Sequence, residues 1–180
     1  MNIRDYIIFI ITLLVIGCDG SYQSNDDEMV SELKSNDKKF VAVGSSGTIL
    51  TSSDGTSWTS RTSGTSNNLR GVTYANSTFV AVGNGGIILT SSDGSSWTSR
   101  TSGTSRDLKG VSYGGSTFVA VGDQGTILTS SDGTSWTSRT SGTSQDLNGV
   151  TFGNNIYMTV GASGPILTSQ DGSEWTSKTS

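Results

Sequence analysis

The feature that most constrains this chain is a repeat of 39 residues that runs without a gap from Phe40 onward. Trp58, Trp97, Trp136 and Trp175 are 39 positions apart each time, and so are Asp54, Asp93, Asp132 and Asp171. Phe40, Phe79, Phe118 and Tyr157 keep the same spacing. The phrase Phe-Val-Ala-Val-Gly begins at the first three and becomes Tyr157-Met158-Thr159-Val160-Gly161 in the last copy. A period held this strictly marks one supersecondary unit copied in tandem, each copy needing its neighbours to bury its apolar residues. The repeat also decides how the composition is read. Hydrophobic residues make up only 32% of the chain, with 24 Gly and abundant Ser and Thr, a mixture compatible with disorder. Here the apolar residues return in clusters at a fixed period, which disorder does not require.

Within one repeat the pattern predicts four short strands: Leu69 to Tyr74, Thr78 to Val82, Ile87 to Ser91 and Ser96 to Arg100. All are rich in β-branched or aromatic residues and bounded by Gly, Asn, Asp or Ser. The second is almost continuously apolar, as expected of a strand covered on both faces. The fourth is the most polar and suits an edge in water. Four strands in about 40 residues is the blade unit of a propeller. The expected fold is therefore all-β, a β-propeller of four-stranded blades with about four 39-residue repeats over residues 37–180. The alternative is an open β-solenoid, whose coil is usually shorter and needs no Trp hairpin at this spacing. The first repeat lacks a clean first strand. Glu32-Leu33-Lys34-Ser35 stands where Gly71-Val72-Thr73-Tyr74 stands later, and only Leu33 keeps the apolar pattern. Residues 29–36 thus read as a degenerate first strand. Four blades is the low end for a ring, so a homo-oligomer is expected if four do not close.

The hairpin between the third and fourth strands carries the most specific motif, Thr51-Ser52-Ser53-Asp54-Gly55-Thr56-Ser57-Trp58 and its three counterparts. The Asp carboxylate can accept hydrogen bonds from N–H groups of its turn, and the Trp can cover the hairpin base and pack on the adjoining sheet. Asp54, Trp58, Asp93, Trp97, Asp132, Trp136, Asp171 and Trp175 are accordingly assigned a structural role. The motif resembles the Asp-box, or BNR, repeat of sialidase-like propellers, in a variant one residue shorter between Asp and Trp. The longer pattern, with Thr-Ser-Gly-Thr before each new blade and Val-Gly-x-x-Gly-x-Ile-Leu inside it, looks closer to the propellers of photosystem II stability/assembly factors and their non-photosynthetic bacterial relatives. Either resemblance implies a β-propeller.

A sialidase-like glycoside hydrolase is the enzymatic alternative that the first resemblance implies, and its residues are not matched. Such enzymes gather three arginines in one pocket. Arg61, Arg100 and Arg139 occupy equivalent positions on the outer strands, where repetition sets them apart around a rim, with Lys178 in the fourth place. A tyrosine nucleophile finds no support either. Tyr74 and Tyr113 become Phe152 in the third copy, so the position asks for an aromatic body. The four turn aspartates are one role repeated, whereas glycosidase carboxylates sit about 5–10 Å apart. Gly83-Asn84-Gly85-Gly86 is followed by a strand, and a phosphate loop needs a helix behind it. The chain has no histidine and one cysteine, which excludes His triads, His or Cys metal clusters and internal disulfides. No catalytic residue, metal or cofactor is expected. A net charge of −4 argues against a nucleic-acid partner.

Tyr6 to Ile16 is an apolar run broken only by Thr12. At about 1.5 Å per residue it is too short for a hydrocarbon core of ~30 Å, so residues 1–17 read as a signal peptide. Val15-Ile16-Gly17-Cys18 follows, and it resembles the bacterial lipobox. That resemblance implies diacylation of Cys18, palmitate-type anchoring to a membrane, and a place in the bacterial cell envelope, periplasmic or surface-exposed. Two acyl chains anchor stably where one does not. Residues 18–36 form an acidic, polar tether.

Because the repeats barely differ, their differences mark a candidate contact face. One variable spot is the loop between strands two and three: Ser45-Ser46, Asn84-Gly85, Asp123-Gln124 and Ala162-Ser163. Another is the link between blades, Asn67-Asn68, Arg106-Asp107 and Gln145-Asp146, with Arg70, Lys109 and Asn148 beside it. In an up-and-down blade both loops leave by the same end. Ser45, Ser46, Arg70, Asn84, Lys109, Asp123 and Gln124 are therefore the expected binding residues for an unknown protein or glycan ligand, with Arg70 and Lys109 near the channel mouth. A purely structural or assembly role is the third alternative.

Overall fold

A computed structural model describes residues 39–162 and 164–178. The expected signal peptide at 1–17, Cys18, the expected tether, the expected degenerate strand at 29–36 and Ser163 lie outside the described residues. The first sheet holds β1 (Phe40–Val43), β2 (Ile49–Ser52) and β3 (Thr59–Arg61). Three four-stranded sheets follow. The second is β4 (Leu69–Ala75), β5 (Thr78–Gly83), β6 (Ile88–Ser91) and β7 (Thr98–Arg100). The third is β8 (Leu108–Gly114), β9 (Thr117–Gly122), β10 (Ile127–Ser130) and β11 (Thr137–Arg139). The fourth is β12 (Leu147–Gly153), β13 (Ile156–Gly161), β14 (Ile166–Ser169) and β15 (Thr176–Lys178). Spatial order follows chain order in every sheet, and all neighbours are antiparallel. The fourth strand is shorter than its sequence suggests. It begins at Thr98, not Ser96, because the preceding turn runs up to Trp97, whose indole N–H is bonded back to the Gly94 carbonyl.

The apolar run in each second strand has a simple cause. Val80, Val82 and Ile88 face forward and share a core with Leu108, Phe118, Ala120 and Leu128 of the third sheet. Ala81 and Leu89 face back, into a core with Ile49 of the first sheet. The third and fourth sheets repeat the arrangement, with Val119, Val121 and Ile127 against Leu147, Tyr157 and Leu167. The hydrophobic cores thus lie between sheets, and each fully buried Val, Ile or Leu contributes about 1.5–3 kcal/mol. The sheets also fan. The innermost strands meet at glycines: a Cβ on Gly71 would stand 3.5 Å from Gly110 Cα, and one on Gly110 would stand 3.3 Å from Gly149 Cα. The outermost strands β3, β7 and β11 are largely exposed. Sheets that converge at glycine on one edge and part on the other radiate about an axis, and do not stack as the rungs of a solenoid.

Candidate binding face

The loops predicted to share one end do so. In the first three sheets the link between second and third strands is a single turn of 3-10 helix, Ser45–Gly47, Asn84–Gly86 and Asp123–Gly125. The chain linking one sheet to the next reaches over that turn. The Ser46 N–H donates to Asn68 Oδ1 at 2.9 Å, the Gly85 N–H to Asp107 Oδ1 at 2.8 Å, and the Gln124 N–H to Asp146 Oδ1 at 2.9 Å. Each bond joins a sheet to the one before it. The variable Asx position at 68, 107 and 146 is therefore a clamp between sheets, a role the sequence reading missed. The available signal was that all three side chains offer a carboxyl or amide oxygen.

The innermost strands carry a second unforeseen device. The register of β4 on β5 shifts between Leu69 and Gly71, that of β8 on β9 between Leu108 and Gly110, and that of β12 on β13 between Leu147 and Gly149. Arg70, Lys109 and Asn148 are thus the extra residues of three equivalent β-bulges. A bulge leaves its residue out of the ladder and re-aims its side chain. These three differ from repeat to repeat, and each is displayed beside the close contact of the inner strands.

The predicted binding residues other than Ser45 and Ser46 fall into two groups. In the first, Arg70 Nε donates to Asn84 Oδ1 at 2.7 Å, and the Asn84 carbonyl accepts from Asn67 Nδ2 at 3.1 Å. Arg70 is exposed and keeps its remaining guanidinium donors. In the second, Lys109 Nζ lies 2.5 Å from Asp123 Oδ1, 2.9 Å from Asp146 Oδ2 and 3.3 Å from Asn148 Oδ1. This cluster spans the third and fourth sheets. Partial burial opposes the charge on Lys109, but the hydrogen bonds and charges of Asp123 and Asp146 outweigh it and raise the pKa. The Gln124 N–H and Lys109 together lower that of Asp146. Arg106 Nη1 reaches the Gln124 carbonyl at 3.4 Å. Ser45 and Ser46 lie on the equivalent turn of the first sheet, where the Ser45 carbonyl accepts from the Thr48 N–H. The acidic side chains on this end are thus engaged, and exposed guanidiniums remain.

No protein-family model and no curated protein matches this chain. Solved structures do match. One is YCF48 from Cyanidioschyzon merolae, 24% identical with a TM-score of 0.52, over 61% of this chain and 36% of that one. Another is YCF48 bound to D1 peptide, 21% identical with a TM-score of 0.56, over 77% of this chain and 48% of that one. The fold is a β-propeller. The match bears out the expected all-β propeller architecture. The chain spans less than half the length of either structure.

The opposite end of the propeller holds the aspartate turns. Asp93 Oδ1 accepts from the Ser95 and Ser96 N–H groups at 2.8 and 2.9 Å and from the Ser91 hydroxyl at 3.0 Å. Those bonds hold its carboxyl down at about 2. Asp54, Asp132 and Asp171 make the same turn and are lowered for the same reason, backbone N–H donation first. The Trp that closes each turn donates its indole N–H to the turn Gly carbonyl, at 2.8–3.2 Å. Trp136 packs into the core shared with the preceding blade, as its spacing implied. Arg61, Arg100 and Arg139 each donate through Nε to a Thr of their own blade, Thr51, Thr90 and Thr129. The arginines are fastened to separate blades. Tyr74, Tyr113 and Phe152 lie tilted against the second-strand ring across the hairpin, with centroids 4.4–4.6 Å apart; Tyr74 stays exposed, short of the core packing expected of it, and the Tyr113 hydroxyl accepts from Asn76 Nδ2 of the preceding blade at 2.8 Å.

Tyr157 departs from the Phe of the other blades. Its hydroxyl donates to the carbonyls of Gly114 and Thr117 on the preceding blade. Burial pushes its pKa up to about 12, so it stays a donor. A hydroxyl at a core position was the sequence signal for this lock.

Proposed function

We propose that this chain is a non-enzymatic, protein-binding propeller, tethered to a bacterial envelope membrane through a lipid on Cys18, which receives a peptide segment of its partner on the end that carries Arg70 and Lys109. The observation that carries this reading is the bulge display. Three nearly identical blades present Arg70, Lys109 and Asn148 from one special backbone site at one end. The exposed guanidiniums of Arg70 and Arg106 favour a segment that bears carboxylates. A structure of the same fold, YCF48, holds the D1 peptide, which supports a peptide as the kind of ligand. The fastening of the three rim arginines to separate blades speaks against a sialidase pocket. The anchor reading rests on Val15-Ile16-Gly17-Cys18.

Fluorescence anisotropy of labelled acidic and basic peptides with the full chain in detergent tests the binding reading. Acidic peptides bind, Arg70→Ala and Arg106→Ala each weaken them about tenfold, and sialosides are not turned over. Equal binding of both peptide classes, or no effect of either substitution, contradicts the proposed face. Incorporation of labelled fatty acid by the wild type and not by Cys18→Ala tests the anchor.

A further inference from the structure

Each blade has a forward face, which meets the next blade, and a backward face, which meets the one before. The forward positions are set by contact. A Cβ on Gly94 would touch Val41 of the first blade, one on Gly133 Val80 of the second, and one on Gly172 Val119 of the third. The next in this series is Met158. It is 43% exposed, with Ile156 at 42% and Val160 at 47% beside it. Val82 and Val121, which hold the place of Val160 in the second and third blades, are 0% exposed. In the register of β12, β13 and β14, Met158 pairs with Thr151 and Thr168, and Val160 with Gly149 and Ile166. The forward side of the fourth blade is therefore open, with an apolar stripe of Ile156, Met158 and Val160 flanked by Thr151 and Thr168.

Among the described residues, the backward face of the first blade is open in the complementary way. Phe40, Ala42 and Leu50 are partly exposed, whereas Phe118, Ala120 and Leu128 are buried at the same places in the third blade. Trp58 is exposed. Among the described residues, a Cβ on Gly55 would meet only Phe40 of its own blade, whereas Gly94, Gly133 and Gly172 each meet a Val of the blade before. The two ends are thus the two halves of a contact that the molecule makes three times.

We infer that a second copy of this chain docks its first blade on the fourth blade of another, Met158 and Val160 of one copy packing against Gly55, Leu50 and Trp58 of its neighbour. The chemistry favours a second copy, because the internal repeats already match these residues to each other. The contact is heterologous, head to tail, and it closes where the rotation per blade permits. It lies on the sides of the blades and is independent of peptide binding at the end.

The test is detergent-matched sedimentation of the full chain over a range of concentrations. The wild type is expected to associate reversibly. Met158→Lys with Val160→Lys alters only the open forward face, and Leu50→Glu the open backward one. Each is expected to weaken association about a hundredfold, since it places an unpaired charge in the contact. Circular dichroism checks that both remain folded. Mixing the two variants restores a one-to-one complex, because one intact forward face meets one intact backward face. A wild type that stays monomeric, or association that neither variant alters, overturns the inference. A mixture of the variants that stays monomeric overturns it too. Unchanged peptide affinity in the forward variant shows that the two surfaces are separate.

Discussion

Asp93 shows how much one side chain does in this fold. Its carboxylate replaces water for two backbone N–H groups and a serine hydroxyl in a turn too tight to pair them itself. The bonds favour the charged form, so its pKa falls to about 2 from the ordinary 3.8. A group depressed by folding lends stability that is complete above its unfolded value and is lost as pH falls toward the folded one. With Asp54, Asp132 and Asp171 lowered as well, the thermal midpoint should be flat down to about pH 4 and fall between roughly pH 4 and pH 2. Asp93→Asn should lower the midpoint at neutral pH and flatten that decline. Added salt should change the decline little, because hydrogen bonds dominate the shift. Calorimetry across pH checks all three. This role was legible in the sequence, because Asp, Gly and Trp recur at fixed offsets within one turn. The Asx clamps at 68, 107 and 146 were not, because each acceptor meets an N–H that lies 22 positions earlier, in the preceding blade.

At the scale of the element, the strands were readable because burial on both faces demands an unbroken apolar run, as in Phe79 to Val82. The bulges at Arg70, Lys109 and Asn148 were not. They arise where inner strands press together at Gly71, Gly110 and Gly149, a convergence that exists only once the sheets fan. The 3-10 turn depends on the blade that follows it. Gly86 has φ +73°, and a Cβ there would overlap the Thr104 carbonyl oxygen in the link to the third blade. Gly103 has φ +77°, with nothing within 4 Å. Gly103→Ala should cost about 1–2 kcal/mol, the left-handed backbone penalty alone. Gly86→Ala should cost more than twice that, since backbone must move. Urea denaturation of both variants measures the difference, and equal costs would mean that the turn does not pack on the link.

For the whole molecule, stability comes from neighbour on neighbour. Among the described residues three cores lie between four sheets, and the outward faces of the first and fourth sheets are partly exposed. Tandem repetition predicted the blades, and the count of four raised the question of closure, but periodicity alone could not say whether the last blade meets the first. Val160 answers it in physical terms, since the same residue at the same place in the repeat is fully covered in two blades and open in the fourth. Hydroxyl-radical footprinting of the full chain, diluted until it sediments as a monomer, compares Val82, Val121 and Val160 in one sample. Fast modification of Val160 and Met158 beside protected Val82 and Val121 is the predicted result, whereas equal protection of all three valines in the monomer would contradict an open fan of blades.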